Sequence, residues 1–271
     1  ERLAERLRGL LDREGGWTGF ARYMQAALYE PGLGYYSAGA RKFGPAGDFV
    51  TAPEVAPVFS RCLARQCAEV LEHLGGGDVL ELGAGSGAMA AGVLAELERL
   101  GRLPGRYRIL DVSADLRERQ RDTLAGAVPH LLGRVEWLDR LPEPFDGVTL
   151  ANEVLDALPV ERFAIRGGEV DSLGVAWQFG RFEAAPARAS AELLRRVRAI
   201  EQDLGAPLPD GYVPEVNLGL GEWLSGIAGT QRRGVQLFGD YGLPRREYYA
   251  AERRTGTLLC HFRHRFHDDP F

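Results

Sequence analysis

Leu3, Leu7, Leu10 and Leu11 fall on one stripe at helical spacing and Gly15-Gly16 closes the pattern, which predicts an amphipathic helix over residues 1 to 13. A second helix is predicted with Thr18 as its cap, Phe20, Tyr23, Met24, Ala27 and Leu28 on its buried side and Pro31-Gly32 at its end. From 31 to 54 the periodicity lapses, and a stretch of that length inside a compact domain reads as a functional loop. Val58, Phe59, Cys62, Leu63, Gln66, Cys67, Val70 and Leu71 restore helical spacing up to Gly75-Gly76-Gly77, with both cysteines read as core positions.

Beyond residue 78, apolar runs alternate with helical patterns. Strands are predicted at 79 to 82, 107 to 111, 134 to 138 and 147 to 151, with helices at 87 to 100 and 114 to 125. Such alternation implies an α/β fold, a parallel sheet with helices on both faces, and a ligand crevice beyond the carboxyl ends of the strands. Glu81, Asp111, Leu138 and Asn152 stand at those ends; Trp137 or Leu138 is placed to pack on an adenine, with a core role for either left equally open. Phe163 to Ile165 and Leu173 to Trp177 resemble paired strands, Ala191 to Leu204 an amphipathic helix, and Val235 to Gly239 a further strand ending at Asp240-Tyr241. The organisation expected is an N-terminal unit over 1–76, a core over 77–160, an inserted α+β segment over 161–233 that shapes the acceptor groove, and C-terminal strands over 234–271. Glu215 and Trp223 are candidates for that groove, but a cap and a core side chain explain them better.

Two segments carry chemistry. Gly83-Ala84-Gly85-Ser86-Gly87 turns the first strand into its helix, and glycine at alternate positions lets a ligand approach the backbone and the free N–H groups of the helix start. By itself Gly83-x-Gly85-x-x-Ala88 also fits the dinucleotide fingerprint. Glu81 tilts the choice, because an acid at that strand end attracts the sulfonium and amino group of S-adenosyl-L-methionine and repels a pyrophosphate. Asp111 suits two ribose hydroxyls and lies 28 residues after Gly83, where the dinucleotide pattern places its acid about 20 residues on. The second segment, Asn152-Glu153-Val154-Leu155-Asp156, puts an amide and two carboxylates at the crevice mouth. If a helical turn follows the strand they share a face and suit a cationic acceptor; capping of that turn is the equal alternative.

Composition narrows the setting. At 271 residues and 45% hydrophobic content the chain can bury a sizeable core, and a net charge of -5 with no basic, aromatic-rich run gives no case for nucleic-acid binding. Lys42 is the sole lysine, which reads as codon bias. Cys62, Cys67 and Cys260 form no C-x-x-C pair, and His261, His264 and His267 match no metal pattern, so no metal is expected and a reducing compartment is. No apolar stretch reaches membrane-spanning length and no signal sequence opens the chain, so a soluble protein is expected; the missing initiator methionine suggests a processed or trimmed one.

Seven ordered pieces then resemble one family. They are Leu28-Tyr29 through Gly34-Tyr35-Tyr36; Gly47-Asp48-Phe49-Val50-Thr51-Ala52-Pro53-Glu54; Glu81 to Gly87; Asp111-Val112-Ser113 with Leu116-Arg117 and Gln120; Asn152-Glu153 to Pro159; Asp240-Tyr241-Gly242; and Arg254 with Gly256-Thr257. The chain is similar to the MidA family, whose mitochondrial members act as protein arginine methyltransferases in complex I assembly. That resemblance implies a Rossmann-like, seven-stranded class I methyltransferase fold, S-adenosyl-L-methionine as cofactor, and a partner protein with an accessible arginine as acceptor. Carried onto this sequence, it implies a cofactor site from Glu81, Gly83, Ala84, Gly85, Ser86, Gly87, Asp111, Val112, Leu138 and Asn152, with Thr51 and Pro53 from the loop, and catalytic acids Glu153, Asp156 and Glu54. Two departures stand out: the family has Glu where Asp111 stands, and it continues past Phe271 with a segment that completes the sheet, so the last strands are expected to be cut short. A bacterial cytoplasmic location is expected, with the mitochondrial matrix as the alternative. A small-molecule acceptor, or a cofactor-binding assembly factor without turnover, are the competing functions.

Overall fold

The computed structural model describes residues 1–38, 48, 51–262 and 264–271. Helix α1 (Arg2–Arg13) buries Leu7, Leu10 and Leu11, the stripe read from the sequence, each leucine contributing about 1.5–3 kcal/mol on full burial. A two-residue strand, β1 (Trp17–Thr18), then leads into α2 (Phe20–Tyr29). Thr18 therefore does not cap α2: it lies in a strand with its hydroxyl buried and unpaired, and Gly19 is the N-cap. The cap comes from far along the chain. Burial raises the Glu161 carboxyl while the N–H groups of Ala21 and Phe20, at the helix start, lower it. A short α3 (Ala52–Val55) precedes the long α4 (Pro57–Leu74).

Cys62 does not share the core with Cys67. Five residues is about 140° around a helix, so α4 buries Ser60, Ala64, Cys67, Ala68 and Leu71 and leaves Cys62 exposed. That small-residue face lies close against the neighbouring helix: a Cβ on Gly92 would come within 2.7 Å of the Ser60 Cβ. Residues 57–74, grouped by sequence with the N-terminal helices, thus pack on the central sheet's own layer.

The central sheet is built from β2 (Asp78–Leu82), α5 (Ala88–Arg99), β3 (Tyr107–Leu110), α6 (Ala114–Ala127), β4 (Val135–Leu138) and β5 (Phe145–Asn152). Val79 and Glu81 of β2 point toward α4 and α5, while Leu80 and Leu82 join a second cluster on the other face. Both faces are covered, as a parallel sheet requires. Only residues 139–144 link β4 to β5, with no helix, although β3 and β2 stand between those strands. Through the pairings Leu138 stands level with Ala151, so the link must return to Phe145 along β5, about 20 Å, as well as cross three strand spacings, about 14 Å. The span of about 24 Å is close to the full reach of the extended chain from Leu138 to Phe145, so the link is nearly taut. The sheet face that a crossover helix would cover is covered later in the chain instead.

Between β5 and the last strand of this sheet lies an antiparallel sheet. Strand β6 (Glu161–Arg166) pairs with β7 (Glu169–Gln178), which carries β8 (Arg181–Arg188) along its other edge; α7 (Ala191–Leu204) and β9 (Glu215–Val216) follow. Helix α7 buries Leu193, Val197 and Ile200 against Phe163, Ile165 and Val170. The N-terminal helices join this layer too: β1 pairs with β7, and Leu7, Phe20 and Tyr23 pack on Val175. Then α8 (Leu220–Gly229) returns to the central sheet, placing Ile227 and Trp223 against Leu80, Leu82 and Phe145. It delivers β10 (Gln231–Gly239), which pairs in parallel with β5. The central order is therefore β10-β5-β2-β3-β4, with every pairing parallel. Among the described residues this sheet has five strands where seven are implied by the resemblance. The chain closes with α9 (Arg245–Tyr248) and a hairpin of β11 (Cys260–Phe262) and β12 (Arg265–His267). Among the described residues no helix is long and apolar enough to cross a membrane, and no His, Cys, Asp and Glu group is arranged to hold a metal ion.

Candidate functional site

Strand order reverses between β2 and β5, and a cavity of about 820 Å³ opens beyond the carboxyl ends of β2, β3 and β5 at that switch point. Its floor is Glu81. The side chain is fully buried, with Oε2 accepting the Tyr107 hydroxyl at 2.5 Å and Oε1 without a partner. Burial pushes the Glu81 carboxyl up to about 7, against the lowering effect of the Tyr107 bond and with a further rise from Asp111. A buried carboxylate oxygen with no partner is costly unless something polar arrives to meet it.

The glycine turn follows. Gly83, Gly85 and Gly87 have φ of +62°, +55° and +83°, the left-handed region that side chains resist. Gly83, Ala84, Gly85 and Ser86 line the cavity; Gly87 lies outside its wall and is the N-cap of α5. Space is short as well as φ: a Cβ on Gly87 would stand 3.0 Å from the Gln120 Cα. Gln120, buried in α6, fixes the turn. Its Nε2 donates to the Gly85 carbonyl at 3.1 Å and to Asp111 Oδ2 at 2.8 Å, and its Oε1 accepts the Trp137 indole at 3.0 Å. One amide thus sets the spacing between the glycine turn and the acid after β3. Asp111 Oδ1 accepts from the Ser113 backbone at 3.0 Å, and burial raises its carboxyl while these bonds and Arg117 lower it. Two carboxylate oxygens offer about four acceptor sites, so Asp111 retains capacity for hydroxyl donors.

Val112 lines the cavity beside Asp111. Leu138 does not: it packs with the cluster of Leu80, Leu82 and Phe145, and Trp137 is engaged by Gln120 and by the Arg121 guanidinium, 4.5 Å from its ring centre. The apolar wall comes instead from Leu116, Leu141, Trp223 and Ile227. Sequence reasoning missed Leu141 and Ile227 and preferred a core role for Trp223, which both packs on the core cluster and lines the cavity. Their recruitment depends on α8 crossing the face left by the helix-free link, which no local pattern announces.

The turn after β5 departs from expectation. No helix follows Asn152, so Asn152 caps none and the shared helical face does not exist. Glu153 adopts a φ of +53°, a strain of ~1–2 kcal/mol for a residue with a Cβ. Asp240, at the end of β10, does the capping: its Oδ2 accepts from the backbone N–H groups of Val154, Leu155 and Asp156 at 3.0, 2.7 and 3.4 Å. Asn152, Glu153 and Asp156 all line the cavity. Burial, then Asp240 and Glu54, raise the Glu153 carboxyl, while the Asn152 side chain and the Ala52 N–H lower it. Desolvation first, then the charges of Asp240 and Glu153, push the Asp156 carboxyl up to about 6.

Thr51 and Pro53 line the same cavity. Glu54 does not, but one of its carboxylate oxygens is buried without a partner and its charge reaches Glu153. Gly47, Phe49 and Val50 of that motif lie outside the described residues. Tyr29 and Tyr36 complete the wall, their rings stacked with centres 5.5 Å apart, and the Tyr29 hydroxyl donates to the Ala157 carbonyl at 2.9 Å. Gly34 makes this stack feasible, since a Cβ there would meet the backbone nitrogen of Glu30 at 2.5 Å. Among the described residues five acids line the cavity, Glu222 being the fifth, and no arginine, lysine or histidine does. A partnerless buried carboxylate oxygen, exposed backbone of a glycine turn, an acid after β3 and an apolar wall fit S-adenosyl-L-methionine, which is cationic at one end and aromatic at the other.

Comparison with known proteins agrees. The family described as "Putative S-adenosyl-L-methionine-dependent methyltransferase" matches residues 62–271. A crystal structure from Burkholderia thailandensis, bound to S-adenosyl-homocysteine, is 44% identical with a TM-score of 0.93, covering all of this chain and 70% of that one. A second structure from the same organism, of an uncharacterized protein, is 42% identical with a TM-score of 0.89, covering 100% and 69%. Among curated proteins, the mitochondrial protein arginine methyltransferase NDUFAF7 of Mus musculus is 28% identical over 92% of this chain and 60% of its own length. The Danio rerio protein of that name is 29% identical over 53% and 39%. This chain therefore spans between 39% and 60% of those curated relatives. With its matched span and the site now described, the chain belongs to the MidA family of S-adenosyl-L-methionine-dependent methyltransferases.

Proposed function

We propose that this chain transfers a methyl group from S-adenosyl-L-methionine to an arginine side chain of a partner protein. The observation that carries the reading is the turn after β5, where Glu153 and Asp156 line one cavity with the stacked Tyr29 and Tyr36. Curated relatives named as protein arginine methyltransferases support it.

The cofactor's sulfonium supplies an electrophilic methyl. What the protein must supply is placement, charge and dryness. A guanidinium stays protonated and delocalised, so its nitrogens are poor nucleophiles. Glu153 and Asp156 accept its N–H groups and draw the positive charge toward the nitrogens they hold, leaving another to attack. Glu54 and Asp240 add negative charge around Glu153. The new C–N bond would form as the S–CH3 bond breaks, with neutral S-adenosyl-homocysteine as leaving group; the surplus proton then leaves the guanidinium, and Asp156, raised to about 6, is a suitable acceptor. Tyr29, Tyr36, Leu141 and Trp223 exclude water from the walls.

In this reading the segment between β5 and β10 is an insertion that, with α1 and α2, shapes the acceptor end. The central sheet is the core of a seven-stranded class I fold, and the protein works in a compartment that keeps thiols reduced, a bacterial cytoplasm first and a mitochondrial matrix second.

The test is transfer of labelled methyl from the cofactor into extract of the source organism lacking this gene, followed by mass spectrometry of the labelled peptides. Methylarginine in one or a few proteins is expected. Label confined to small molecules would replace the protein acceptor, and tight cofactor binding with no label anywhere would replace the enzyme with a binding protein.

A further inference from the structure

The backbone N–H groups of the turn that carries Glu153 and Asp156 are held from outside the turn. Four consecutive backbone N–H groups, of residues 153 to 156, all go to two consecutive residues of another element: Glu153 to the Gly239 carbonyl at 2.8 Å, and the next three to Asp240 Oδ2. Asp240 Oδ1 is itself held by the Tyr241 N–H at 2.8 Å, which fixes the plane of the carboxylate. β10 is locked to β5 by parallel pairing up to Gly239 opposite Asn152, so the distance from Asp240 to the turn is set by the sheet. A carboxylate aimed at successive amides is the arrangement that stabilises a helix start, used here where no helix follows.

We propose that Asp240 is a positioning residue for methyl transfer: from the end of β10 its carboxylate holds the turn after β5 in the strained backbone that turns both Glu153 and Asp156 toward the acceptor. This rests on the acceptor role given above to Glu153 and Asp156. The left-handed φ of Glu153 persists because the surrounding bonds over-determine it, and three of the four bonds belong to one side chain. Its charge has a second effect. An uncharged cap would also hold the turn, but a carboxylate beside two others concentrates negative charge where a guanidinium must dock and raises both neighbouring carboxyls. The groups facing Asp156 are Asp240 from β10, Glu153 on its own turn, and Tyr29 and Tyr36 from α2 and the segment after it; the two tyrosines stay neutral at physiological pH.

The experiment compares wild type, Asp240→Ala, Asp240→Asn and Glu153→Gln. Backbone amide exchange is read by mass spectrometry, S-adenosyl-L-methionine binding by calorimetry, and methyl transfer against pH in the gene-deleted extract. Asp240→Ala is expected to speed exchange in the peptide covering 153–156 by about tenfold or more, to leave cofactor affinity within about twofold, and to lower transfer about 100-fold. Asp240→Asn keeps an acceptor oxygen and loses the charge; it should recover much of the exchange protection and move the acid limb of activity to lower pH by about half a unit. A purely structural cap would leave that limb in place. Unchanged exchange at 153–156 in Asp240→Ala overturns the proposal and leaves the arginine reading intact, as does a collapse of cofactor binding equal to the loss of transfer. Full activity in Glu153→Gln overturns the arginine reading instead, whatever Asp240 does.

Discussion

Tyr107 donates its buried hydroxyl to Glu81 at 2.5 Å, and this single bond leaves the second Glu81 oxygen as a partnerless acceptor in the cavity wall. The carboxyl, raised by burial to about 7, therefore changes charge within the working range of pH. A carboxyl raised on folding favours the folded state in its protonated form: that contribution is complete below its ordinary value of 4.5 and is lost as pH rises through about 7. Cofactor binding runs the opposite way, since a cation prefers the carboxylate. Affinity for S-adenosyl-L-methionine should rise about tenfold from pH 6 to pH 8 while the melting temperature of the ligand-free protein falls. Glu81→Gln should flatten the binding curve and weaken it throughout. A flat curve for the wild type, measured by titration calorimetry, would show that Glu81 does not face the cation.

Gln120 offers a test of how the cofactor end is built. Its amide satisfies the Gly85 carbonyl, Asp111 and the Trp137 indole together, so Gln120→Leu strands one buried and two part-buried groups, at about 1–3 kcal/mol for any that finds no water. Cofactor affinity should drop at least about tenfold with a lower melting temperature. Gln120→Glu should be worse for binding than its shape suggests, because it sets a second carboxylate against Asp111. Equal binding by both variants and wild type would deny Gln120 this role.

Much of this was legible in advance, and the reasons are local. The strand-turn-helix at Glu81 to Ala88 announces itself because a central parallel strand is apolar throughout and its turn needs glycine. Leu7, Leu10 and Leu11 declare their helix by spacing alone. The misses are tertiary. Thr18 reads as a cap because caps are short-range, yet Glu161 reaches α2 from β6. Asn152 reads as a helix start because nothing nearby reveals that Asp240, 88 positions on, will take the turn's N–H groups. Leu138 stood at a strand end as required, but the taut link after it lets Leu141 form the wall.

Gly34 should prove intolerant of the smallest side chain. A Cβ there meets the backbone of Tyr29 and Glu30 at 2.7 and 2.5 Å, so Gly34→Ala must open the turn that brings Tyr36 onto Tyr29. A loss of about 1–3 kcal/mol is expected, with methyl transfer falling more than cofactor affinity. Chemical denaturation together with both assays checks this, and an unshifted midpoint would contradict it.

Tyr29 separates packing from anchoring. Tyr29→Phe keeps the ring stack but removes the hydroxyl that holds the Ala157 carbonyl, so the Glu153 to Asp156 turn loses a tether on its far side. The apparent KM for the protein acceptor should rise severalfold with cofactor affinity unchanged, whereas Tyr29→Ala should lower kcat as well by admitting water. Identical kinetics for Tyr29→Phe and wild type would remove the hydroxyl from the account.

The central claim is that Glu153 acts on the acceptor and not on the cofactor, and Glu153→Gln addresses it with the least change of shape. Its affinity for S-adenosyl-L-methionine should stay within about twofold of wild type while transfer of labelled methyl to protein arginine falls at least about 100-fold. Wild-type transfer by Glu153→Gln, or label recovered on a residue other than arginine, would contradict the account.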